Sequence, residues 1–522
     1  MRMRPRWCAR EPSGKHARHL ALRACVVAWA TRGGSSLRAP VVAPAQIPHL
    51  RDRMADLETF ASPIGRAEGS DMHFVPHDDF FVDEETFVSS QVVVGLAPAE
   101  ADETCFHRAG PRRRVAFGPG EARAAVVTCG GVCPGLNTVV RELYRCLSRQ
   151  YGVSRVMGIR DGYAGFSDLA EGAVELDDAY VDDIHKRGGT VLRTSRGGHS
   201  TSTICDALEH HGVNVLFLVG GDGTMKGACK VDEEMARRGR KCVVAVVPKT
   251  IDNDVPVIDK SFGFGSAVEA AIPHLAAAHT EAEACPNGVG IVKLMGRHSG
   301  FIAMHATLAS GDVDLCLVPE SDFELEAVLE HVERKLRRNQ NALIVVAEGA
   351  GQKQMGAAGA RDASGNVLNE DVGPWLKQQV NDYFARARFD DDADFATHRP
   401  KTFYVDPTYT IRACPANAAD QVYCSSLAHA AVHGAMAGYT RFLVGNVNTR
   451  LALLPLDLVV NRRNIVSVRD RMWTRLLFTT SQPPFEAAEG HAGPEECDPY
   501  QLYRAETASG GCTVVLPGDD DY

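Results

Sequence analysis

The 522-residue sequence lacks three features that would place it in a specialised class. No hydrophobic run is long enough to cross a bilayer, because the apolar stretch 24–30 is short and flanked by arginines. The 15 cysteines form no Cys-x-x-Cys ladder and no small secreted framework, which favours free thiols in a reducing compartment. Basic charge is not in excess: the formal net charge of −10 argues against nucleic acid as the main partner.

What is present is the composition of a soluble globular protein, with 45% hydrophobic and 23% charged residues, at a length that suits two domains plus an extension. Residues 1–50 carry eight arginines and one acid, Glu11, which fits an organelle transit peptide or a disordered leader. We therefore expect a cytoplasmic protein, or a plastid protein if the leader is a transit peptide. An irregular N-terminal extension that wraps the surface is expected over 51–118, and a solvated tail over 511–522.

Two turns rich in glycine and aspartate lie in the middle of the chain. The apolar run 213–219 indicates a strand buried on both faces, and it leads into Gly-Gly-Asp-Gly-Thr at 220–224 and then a helix. A second buried strand, 243–247, ends in Pro-Lys-Thr-Ile-Asp-Asn-Asp at 248–254. Both strand ends are predicted at one edge of a parallel sheet, where open α/β sheets bind ligands.

The residue types of these turns indicate phosphate chemistry. Glycines let the main chain approach a polyphosphate, and a helix N-terminus supplies amide donors. Asp222 would repel phosphate, so it is interpreted as a magnesium ligand, direct or through water. Asp252 is a candidate base for a substrate hydroxyl, and Asp254 is a second base or orients a neighbour. The alternative for the first motif alone is a tight turn in which Asp222 caps the helix.

A further glycine turn follows a predicted strand at 124–128 and is again suited to phosphate. Cys129 and Cys133 flank it, either as sensors of oxidation or as small packing residues. The loop 188–198 carries two arginines among glycines and is either a phosphate clamp or a mobile surface turn.

A second series of β-α units follows in the chain. Strands are predicted at 289–294, 315–319 and 342–347, with helices between them, and a helix over 418–437 returns to the first series. The sequence therefore predicts an α/β protein of two stacked lobes with a cleft between them.

Ten sequence blocks then occur in order from about residue 106 to 447: CGGVCPGLNTVVRE, RDGYAGF, GGTVLRTSRGG, GGDGTMKGA, PKTIDNDV, FGFGSAVEAA, MGRHSGFIAMHATLAS, AEGAGQ, DPTYTIRA and VYCSSLAHAAVHGAMAGYT. With these blocks the sequence resembles the ATP-dependent 6-phosphofructokinases of the plant and algal type. The resemblance implies two Rossmann-like, three-layer αβα domains with the active site in the cleft between them. It divides the chain into an ATP-binding lobe (119–264 plus about 417–470) and a fructose 6-phosphate-binding lobe (265–416 plus about 471–510).

The resemblance also assigns residues to the two substrates. The ATP-binding residues that it implies are Gly131, Arg196, Gly197, Gly221, Asp222, Gly223 and Thr224, with Asp222 serving Mg²⁺. The residues that it implies for fructose 6-phosphate are Thr250, Ile251, Asp252, Met295, Gly296, Arg297, Glu348, Tyr409 and Arg412. Asp252 is the implied catalytic base and Arg412 the clamp on the 6-phosphate, while Arg297 either counters charge or only supports the domain seam.

The implied reaction is in-line transfer of the γ-phosphoryl group of ATP to the 1-hydroxyl of D-fructose 6-phosphate, giving fructose 1,6-bisphosphate and ADP. Positioning and charge neutralisation by magnesium and cations would supply most of the rate. We expect adjacent magnesium to depress the pKa of Asp252, so that proton transfer comes late. A homo-oligomer, dimer or tetramer, is expected.

Two positions concern the phosphoryl donor. Relatives that use pyrophosphate have aspartate where this chain has Gly223, and that carboxylate blocks the space of the α-phosphate of ATP. Lys249, in contrast, is the residue found in pyrophosphate users. The plant-type ATP enzymes combine this glycine and lysine, so we predict ATP, with a pyrophosphate-dependent fructose 6-phosphate 1-phosphotransferase as the alternative.

Departures from the bacterial pattern leave other properties open. Gly288 replaces an arginine that reaches a neighbouring subunit, and Tyr409 replaces a histidine, so bacterial-style allostery is not implied. An NAD or lipid kinase shares Gly-Gly-Asp-Gly-Thr but lacks the Met-Gly-Arg and Tyr-x-x-Arg elements. A catalytically silent subunit would have lost Asp222 or Asp252, and both are present.

Overall fold

The computed structural model describes residues 42–64, 80–90, 103–356 and 369–485, so residues 1–41 of the leader predicted over 1–50, residues 486–510 of the predicted second lobe and the tail 511–522 lie outside the described residues. Its strands are β1 (Val42–Pro44), β2 (Phe60–Ala61), β3 (Phe87–Ser89), β4 (Glu103–Arg108), β5 (Arg114–Val115), β6 (Ala124–Thr128), β7 (Val156–Ile159), β8 (Ala173–Glu175), β9 (Val215–Gly220), β10 (Val243–Pro248), β11 (Gly288–Leu294), β12 (Leu315–Leu317), β13 (Asn341–Ala347), β14 (Lys401–Val405), β15 (Phe442–Val447) and β16 (Arg450–Pro455).

Helices connect most of these strands. They are α1 (Leu50–Arg53), α2 (Leu136–Arg145), α3 (Leu169–Gly172), α4 (Asp178–Val181), α5 (Thr201–His211), α6 (Asp222–Arg237), α7 (Phe264–Glu283), α8 (Phe301–Ser310), α9 (Leu325–Asn339), α10 (Gln352–Met355), α11 (Val372–Phe384), α12 (Thr408–Ala413), α13 (Ala418–Ala437), α14 (Leu456–Val459) and α15 (Arg471–Thr480). A π-helical turn at Cys146–Gln150 follows α2, and 3₁₀ turns lie at Gly162–Ser167, Ile184–Lys186 and Ala387–Phe389. Within the described ranges, no helix combines the length and apolarity needed to span a membrane.

The first lobe is built on a large sheet in the order β1-β4-β16-β15-β10-β9-β6-β7-β8. Its centre, from β15 to β7, is parallel. Strand β6 pairs with β7 on one side and with β9 on the other, so the strand order reverses at β6. The loops after β6 and β9 therefore diverge and leave a crevice at the carboxyl edge of the sheet.

The second lobe contains a parallel sheet in the order β12-β13-β11-β14. Strand β11 pairs with β13 on one side and β14 on the other, which places a second reversal at β11. The loops that follow these three strands carry the Met-Gly-Arg, Glu348 and Tyr-x-x-Arg elements predicted from the sequence.

Alternating side chains of each sheet pack into separate cores on its two faces. In β9, Val215, Phe217 and Val219 belong to one buried cluster, whereas Leu216 and Leu218 belong to another. The second sheet divides in the same way between two further clusters. Buried residues on both faces require helices on both faces, and the structure has the predicted two three-layer αβα lobes.

The N-terminal part differs from the irregular, surface-wrapping extension predicted for it. Strand β4 pairs with β16 in the large sheet, and Phe106 within it is fully buried. The sequence Glu-Thr-Cys-Phe-His-Arg has no apolar run and no alternation, so its strand character depends on the neighbouring strands.

Candidate active site

Cations from three elements converge on the glycine turn after β6. A Cβ atom added to Gly131 would lie 2.7 Å from Nη2 of Arg412 and 3.9 Å from Nη2 of Arg196. Nζ of Lys249 donates to the carbonyl oxygen of Gly131 at 2.8 Å, and burial lowers the pKa of this lysine. Arg412 belongs to the second lobe, so a side chain of one lobe reaches the phosphate-type turn of the other.

The turn after β9 has one crowded and one open glycine. A Cβ on Gly220 would lie 2.2 Å from Oγ1 of Thr224, and the carbonyl of Thr224 accepts a 2.8 Å hydrogen bond from the hydroxyl of Tyr163. Helix α6 begins at Asp222 with Gly221 as its N-cap, which leaves amide donors at the turn. A Cβ on Gly223 would have nothing within 4 Å.

Three carboxylates lie at the ends of β9 and β10. The hydroxyl of Thr250 donates to Oδ1 of Asp254 at 2.7 Å and accepts from the amide of Asp252 at 3.2 Å, so Asp254 orients the turn. Burial, with repulsion from Asp254 and Glu348, raises the pKa of Asp252 to about 7. Burial and Asp254 likewise raise the pKa of Asp222.

The pKa of Asp252 is raised, whereas a lowered pKa was expected for this carboxyl group beside magnesium. That expectation concerned the metal-bound site, whereas the protein alone presents a desolvated carboxyl group facing two further acids. The backbone amide of Arg297 and the charge of Lys249 oppose the rise without reversing it. Asp252 is therefore poised to titrate near neutral pH before ligands bind.

The loop after β11 connects the second lobe to the same carboxylate. Met295 is buried, and Gly296 has φ +134° with a Cβ position 2.3 Å from the carbonyl of Ser299, so a side chain there would be strained and would clash. The hydroxyl of Ser299 donates to the carbonyl of Asp252 at 3.1 Å. Together with the Arg297 amide, this loop of the second lobe contacts the turn at 250–254 of the first lobe.

The remaining residues predicted for the sugar phosphate lie at the ends of β13 and β14. Burial raises the pKa of Glu348, while Arg297, Lys293 and Arg412 oppose the rise, which places Glu348 among these cations. Helix α12 carries Arg412, half-buried, and Tyr409, which is 81% exposed. Tyr409 is thus at the surface rather than packed into the cleft.

The other predicted positions have simple environments. Ile251 is half-buried against the cores of both lobes, and Arg196 and Gly197 lie exposed in the loop before α5. Burial raises the pKa of Cys129 to about 11 and that of Cys133 to about 12, so neither is a ready thiolate. Both cysteines fit the packing interpretation.

Two interactions were missed by the sequence reasoning. Nε of Arg463, after α14, lies 3.4 Å from Oδ2 of Asp222, a contact between residues far apart in the chain that no local motif indicates. Lys293 bridges Asp371 (3.0 Å) and Asp406 (2.9 Å) beneath the α12 segment. The sequence feature that could have indicated this interaction is the lysine in the otherwise apolar strand β11.

Asp222 and Asp254 offer the oxygen ligands that Mg²⁺ prefers in proteins. Within the described ranges, no group of three or more His, Cys, Asp or Glu side chains is placed to hold a metal ion. Mg²⁺ commonly binds through one or two carboxylates plus phosphate oxygens and water, which fits Asp222 with Asp254 nearby.

Comparison with known proteins identifies the family of the chain. The family profile named Phosphofructokinase matches residues 123–435, more than half of the chain. The chain belongs to the phosphofructokinase family. It is 48% identical to ATP-dependent 6-phosphofructokinase 4, chloroplastic, of Arabidopsis thaliana over 85% of this chain and 82% of that protein. It is 47% identical to ATP-dependent 6-phosphofructokinase 1 of the same plant over 84% and 91% of the two chains.

The fold is found in solved phosphofructokinase structures as well. A pyrophosphate-dependent phosphofructokinase from Marinobacter aquaeolei superposes with a TM-score of 0.57 at 22% identity, covering 71% of this chain and 94% of that one. At this identity the likeness shows the fold alone.

Proposed function

We propose that the chain transfers the γ-phosphoryl group of ATP to the 1-hydroxyl of D-fructose 6-phosphate. The observation that carries the proposal is the meeting of Arg412 and Arg196 at Gly131, because it joins an anion clamp of the second lobe to a phosphate-type turn of the first. A site that brings two phosphorylated substrates together needs such a junction. The two Arabidopsis relatives bear the name of this activity.

In the proposed mechanism the chain mainly positions and neutralises charge. The turns at Gly131 and at 221–224 bind the triphosphate through backbone amides, with Arg196 beside them. Arg412, Arg297 and Glu348 hold the sugar phosphate, and Thr250, Ile251, Met295 and Gly296 shape the wall of its site. Asp252 accepts the proton of the 1-hydroxyl, and its pKa of about 7 suits a base at neutral pH.

The proposal assigns Asp222 as the ligand of magnesium, directly or through water. When bound, the ion neutralises charge on the transferred group. The raised pKa of Asp222 reflects burial and the repulsion of Asp254, an environment that favours a cation. In the protein alone, the guanidinium group of Arg463 places a positive charge beside Asp222.

The environment of Gly223 supports ATP over pyrophosphate as donor. At the other described glycines where an added Cβ would meet nothing within 4 Å, φ is positive. The backbone conformation therefore accounts for the presence of glycine at those positions. Gly223 has neither a positive φ nor a crowded Cβ, so its missing side chain leaves space for a ligand. Lys249, the residue that suggested pyrophosphate, instead donates to the carbonyl of Gly131.

The location and assembly of the protein are part of the same proposal. We assign it to the cytoplasm or the plastid, since one of the two Arabidopsis relatives is named chloroplastic. We expect a homo-oligomer, dimer or tetramer.

The test supplies purified protein with fructose 6-phosphate, magnesium and either ATP or pyrophosphate. Turnover should occur with ATP, and Asp252→Asn should lower kcat at least about 100-fold because a general base contributes that much. Asp206→Asn, which changes an exposed acid paired with Arg238, is the matched control and should keep the activity. Turnover with pyrophosphate alone contradicts the donor assignment, and turnover with neither contradicts the proposal.

A further inference from the structure

Near its C-terminal end the chain crosses from the first lobe to the second along the segment 460–470. Before the segment, Leu456 and Val459 of α14 pack into a core of the first lobe. After it, Trp473 and Leu476 of α15 pack into a core of the second lobe. No residue of this segment is among those assigned above to a substrate, yet a segment that crosses between the lobes can add a side chain to a site that both lobes form.

Two backbone hydrogen bonds hold the crossing segment at the cleft. The amide of Asn464 donates to the carbonyl of Asp254 at 2.7 Å, in the first lobe. The amide of Val466 donates to Oε1 of Glu320 at 2.7 Å, in the second lobe. Glu320 also accepts from the amide of Gly300, the N-cap of α8, at 2.9 and 3.0 Å. The residue that precedes Asn464 is therefore held between the two lobes.

That residue is Arg463, whose guanidinium group faces the polyphosphate-type turn. Its Nε lies 3.4 Å from Oδ2 of Asp222, the first residue of α6. Burial, and then the charges of Arg463 and Arg297, lower the pKa of His298 to about 4, so both arginines lie close to this ring. Arg463 therefore lies between the turn after β9 in the first lobe and the loop after β11 in the second.

The pair between Arg463 and Asp222 is weak and open to solvent. It is a single long hydrogen bond through Nε, and the two side chains are 36% and 38% exposed. By contrast, Arg53 binds Asp232 with both terminal nitrogens, at 3.0 and 2.6 Å. Exposed pairs with one contact contribute little to stability, so a ligand with better acceptors can take the guanidinium group from Asp222 at small cost.

Phosphate oxygens are better acceptors for this guanidinium group. Arginine binds a phosphate group through two parallel N–H···O bonds, which are shorter and stronger than the contact seen with Asp222. The turn at 221–224 already offers helix amides and open space at Gly223 for a polyphosphate. A cation is needed there, because the carboxylate of Asp222 would otherwise repel the phosphates.

We propose that Arg463 is a phosphate-binding residue of the donor site, which pairs with Asp222 while the site is empty and with oxygens of the terminal phosphates when ATP is bound. The assignment rests on the proposed function for the identity of the donor. With magnesium at Asp222, the guanidinium group is released to the phosphates. In the transfer step it then faces the negative charge on the γ-phosphoryl group, where a fixed cation lowers the barrier.

The binding test measures the dissociation constant of ATP for the full chain by calorimetry, in EDTA and without fructose 6-phosphate, so that neither metal nor turnover contributes. Arg463→Gln should raise this constant at least about tenfold, because it removes a charge-assisted hydrogen bond to phosphate. Arg463→Lys keeps the charge without the planar fork, and its constant should lie between those of Arg463→Gln and the wild type. The control Arg475→Gln removes an arginine that lines a surface cavity on α15, and should leave the constant within about twofold of the wild type.

A second background separates contact with phosphate from simple neutralisation of Asp222. In Asp222→Asn the carboxylate is removed, so an arginine that only neutralises it has nothing left to neutralise. Adding Arg463→Gln to Asp222→Asn should still raise the dissociation constant of ATP at least about fivefold, because the contact with phosphate is lost. An unchanged constant in that background would overturn the proposal, even where Arg463→Gln alone weakens binding.

The kinetic test examines the transfer step. With both substrates saturating, Arg463→Gln should lower kcat at least about tenfold, while KM for fructose 6-phosphate stays within about threefold. An unchanged kcat with a raised KM for fructose 6-phosphate would overturn the assignment, because it would place Arg463 on the sugar side. A wild type that binds ATP without phosphorylating fructose 6-phosphate would contradict the proposed function, and the dissociation constants would then decide the role of Arg463. A wild type that binds no ATP would overturn both.

Discussion

Asp252 is the residue at which the electrostatics of the cleft and the proposed chemistry meet. A half-buried carboxyl group that faces Asp254 and Glu348 keeps its proton to a higher pH than one in water. The same environment holds a base of suitable strength and destabilises the fold, because an ionised Asp252 repels its neighbours. Such a conflict between stability and activity is typical of catalytic residues.

The pH profile of the enzyme should report this carboxyl group. With MgATP well below saturation, kcat/KM for fructose 6-phosphate should fall about tenfold per pH unit below pH 7, because only ionised Asp252 accepts a proton. Saturating MgATP should move this limb to lower pH, since bound magnesium favours the carboxylate. A profile flat from pH 5 to 8 in both conditions, in an enzyme that stays folded, would show that no ionisation of Asp252 controls the rate.

Stability provides an independent readout of the same shift. The pKa of Asp252 is raised on folding from 3.8 to about 7, so its contribution to the free energy of unfolding is full below pH 4 and is lost as pH rises to 7. Asp252→Asn should therefore be more stable than the wild type at pH 8, by on the order of 1 kcal/mol because the cleft is open to solvent. Denaturant unfolding at pH 4 and pH 8 measures the difference, which should vanish at the lower pH.

Gly223 offers a test of donor choice by a single side chain. Gly223→Asp would place a second carboxylate beside Asp222, where nothing else fills the space. We expect kcat/KM for ATP to fall at least about 100-fold, since like charges in a site cost several kcal/mol. Gly223→Ala adds only a methyl group in the same open direction and should stay within about tenfold of the wild type. Equal losses in both variants would show that bulk, not charge, matters at this position.

At the scale of elements, the site is produced by two reversals of strand order. Loops diverge at β6 in the first sheet and at β11 in the second, and the turns that carry the proposed site residues lie at these edges. Each lobe contributes part of the proposed site. The first lobe contributes the glycine turns and the aspartates, and the second contributes Arg297, Glu348 and Arg412. The hydrogen bond from the Ser299 hydroxyl to the carbonyl of Asp252 joins the two halves.

Lys293 supports the α12 side of the proposed fructose 6-phosphate site through two ion pairs. It pairs with Asp406, whose other oxygen accepts from the amide (3.1 Å) and hydroxyl (2.6 Å) of Thr408 at the start of α12. Burial opposes its charge, yet the hydrogen bonds to Asp406 and Asp371 hold the pKa of Lys293 above its usual range. The helix that carries Arg412 is thereby anchored to strand β11.

Removal of that anchor should affect substrate affinity more than turnover. In Lys293→Met we expect KM for fructose 6-phosphate to rise about tenfold, since loss of a charged hydrogen bond of about 1.4 kcal/mol misplaces Arg412, while kcat changes less. Arg334→Met, which removes an exposed pair with Glu330, is the control and should leave both constants unchanged. An unchanged KM in Lys293→Met would show that α12 holds its position without the pair.

These elements also show what the sequence could and could not predict. The buried strands β6, β9, β10, β11 and β13 are largely apolar runs, interrupted in β11 by Lys293, so the sequence pattern predicted their existence. Strands β4 and β14 are mixed in polarity and acquire their structure from the sheet they join. The contact of Arg463 with Asp222 depends on the path of the chain through both lobes, which no local pattern encodes.

At the scale of the whole molecule, the N-terminal segment is part of the first lobe. Strand β1 pairs with β4, and Leu50 of α1 is fully buried. Arg53 then reaches Asp232 of α6 through two hydrogen bonds, of 3.0 and 2.6 Å, and Asp232 also accepts from the hydroxyl of Thr440 at 2.6 Å. One carboxylate therefore joins the N-terminal segment, α6 and the turn before β15.

Breaking this pair should destabilise the protein, because Asp232 is fully buried and would keep its charge without a cation. For Arg53→Gln we expect a loss of about 2–3 kcal/mol, below the 3–5 kcal/mol of a fully buried pair, because the Arg53 side chain is 24% exposed. Arg51→Gln, two residues away, removes an ion pair with Glu84 whose side chains are 50% and 59% exposed, and should cost less than about 0.5 kcal/mol. Denaturant unfolding measures both, and equal losses would mean that the segment contributes through its apolar contacts rather than through Asp232.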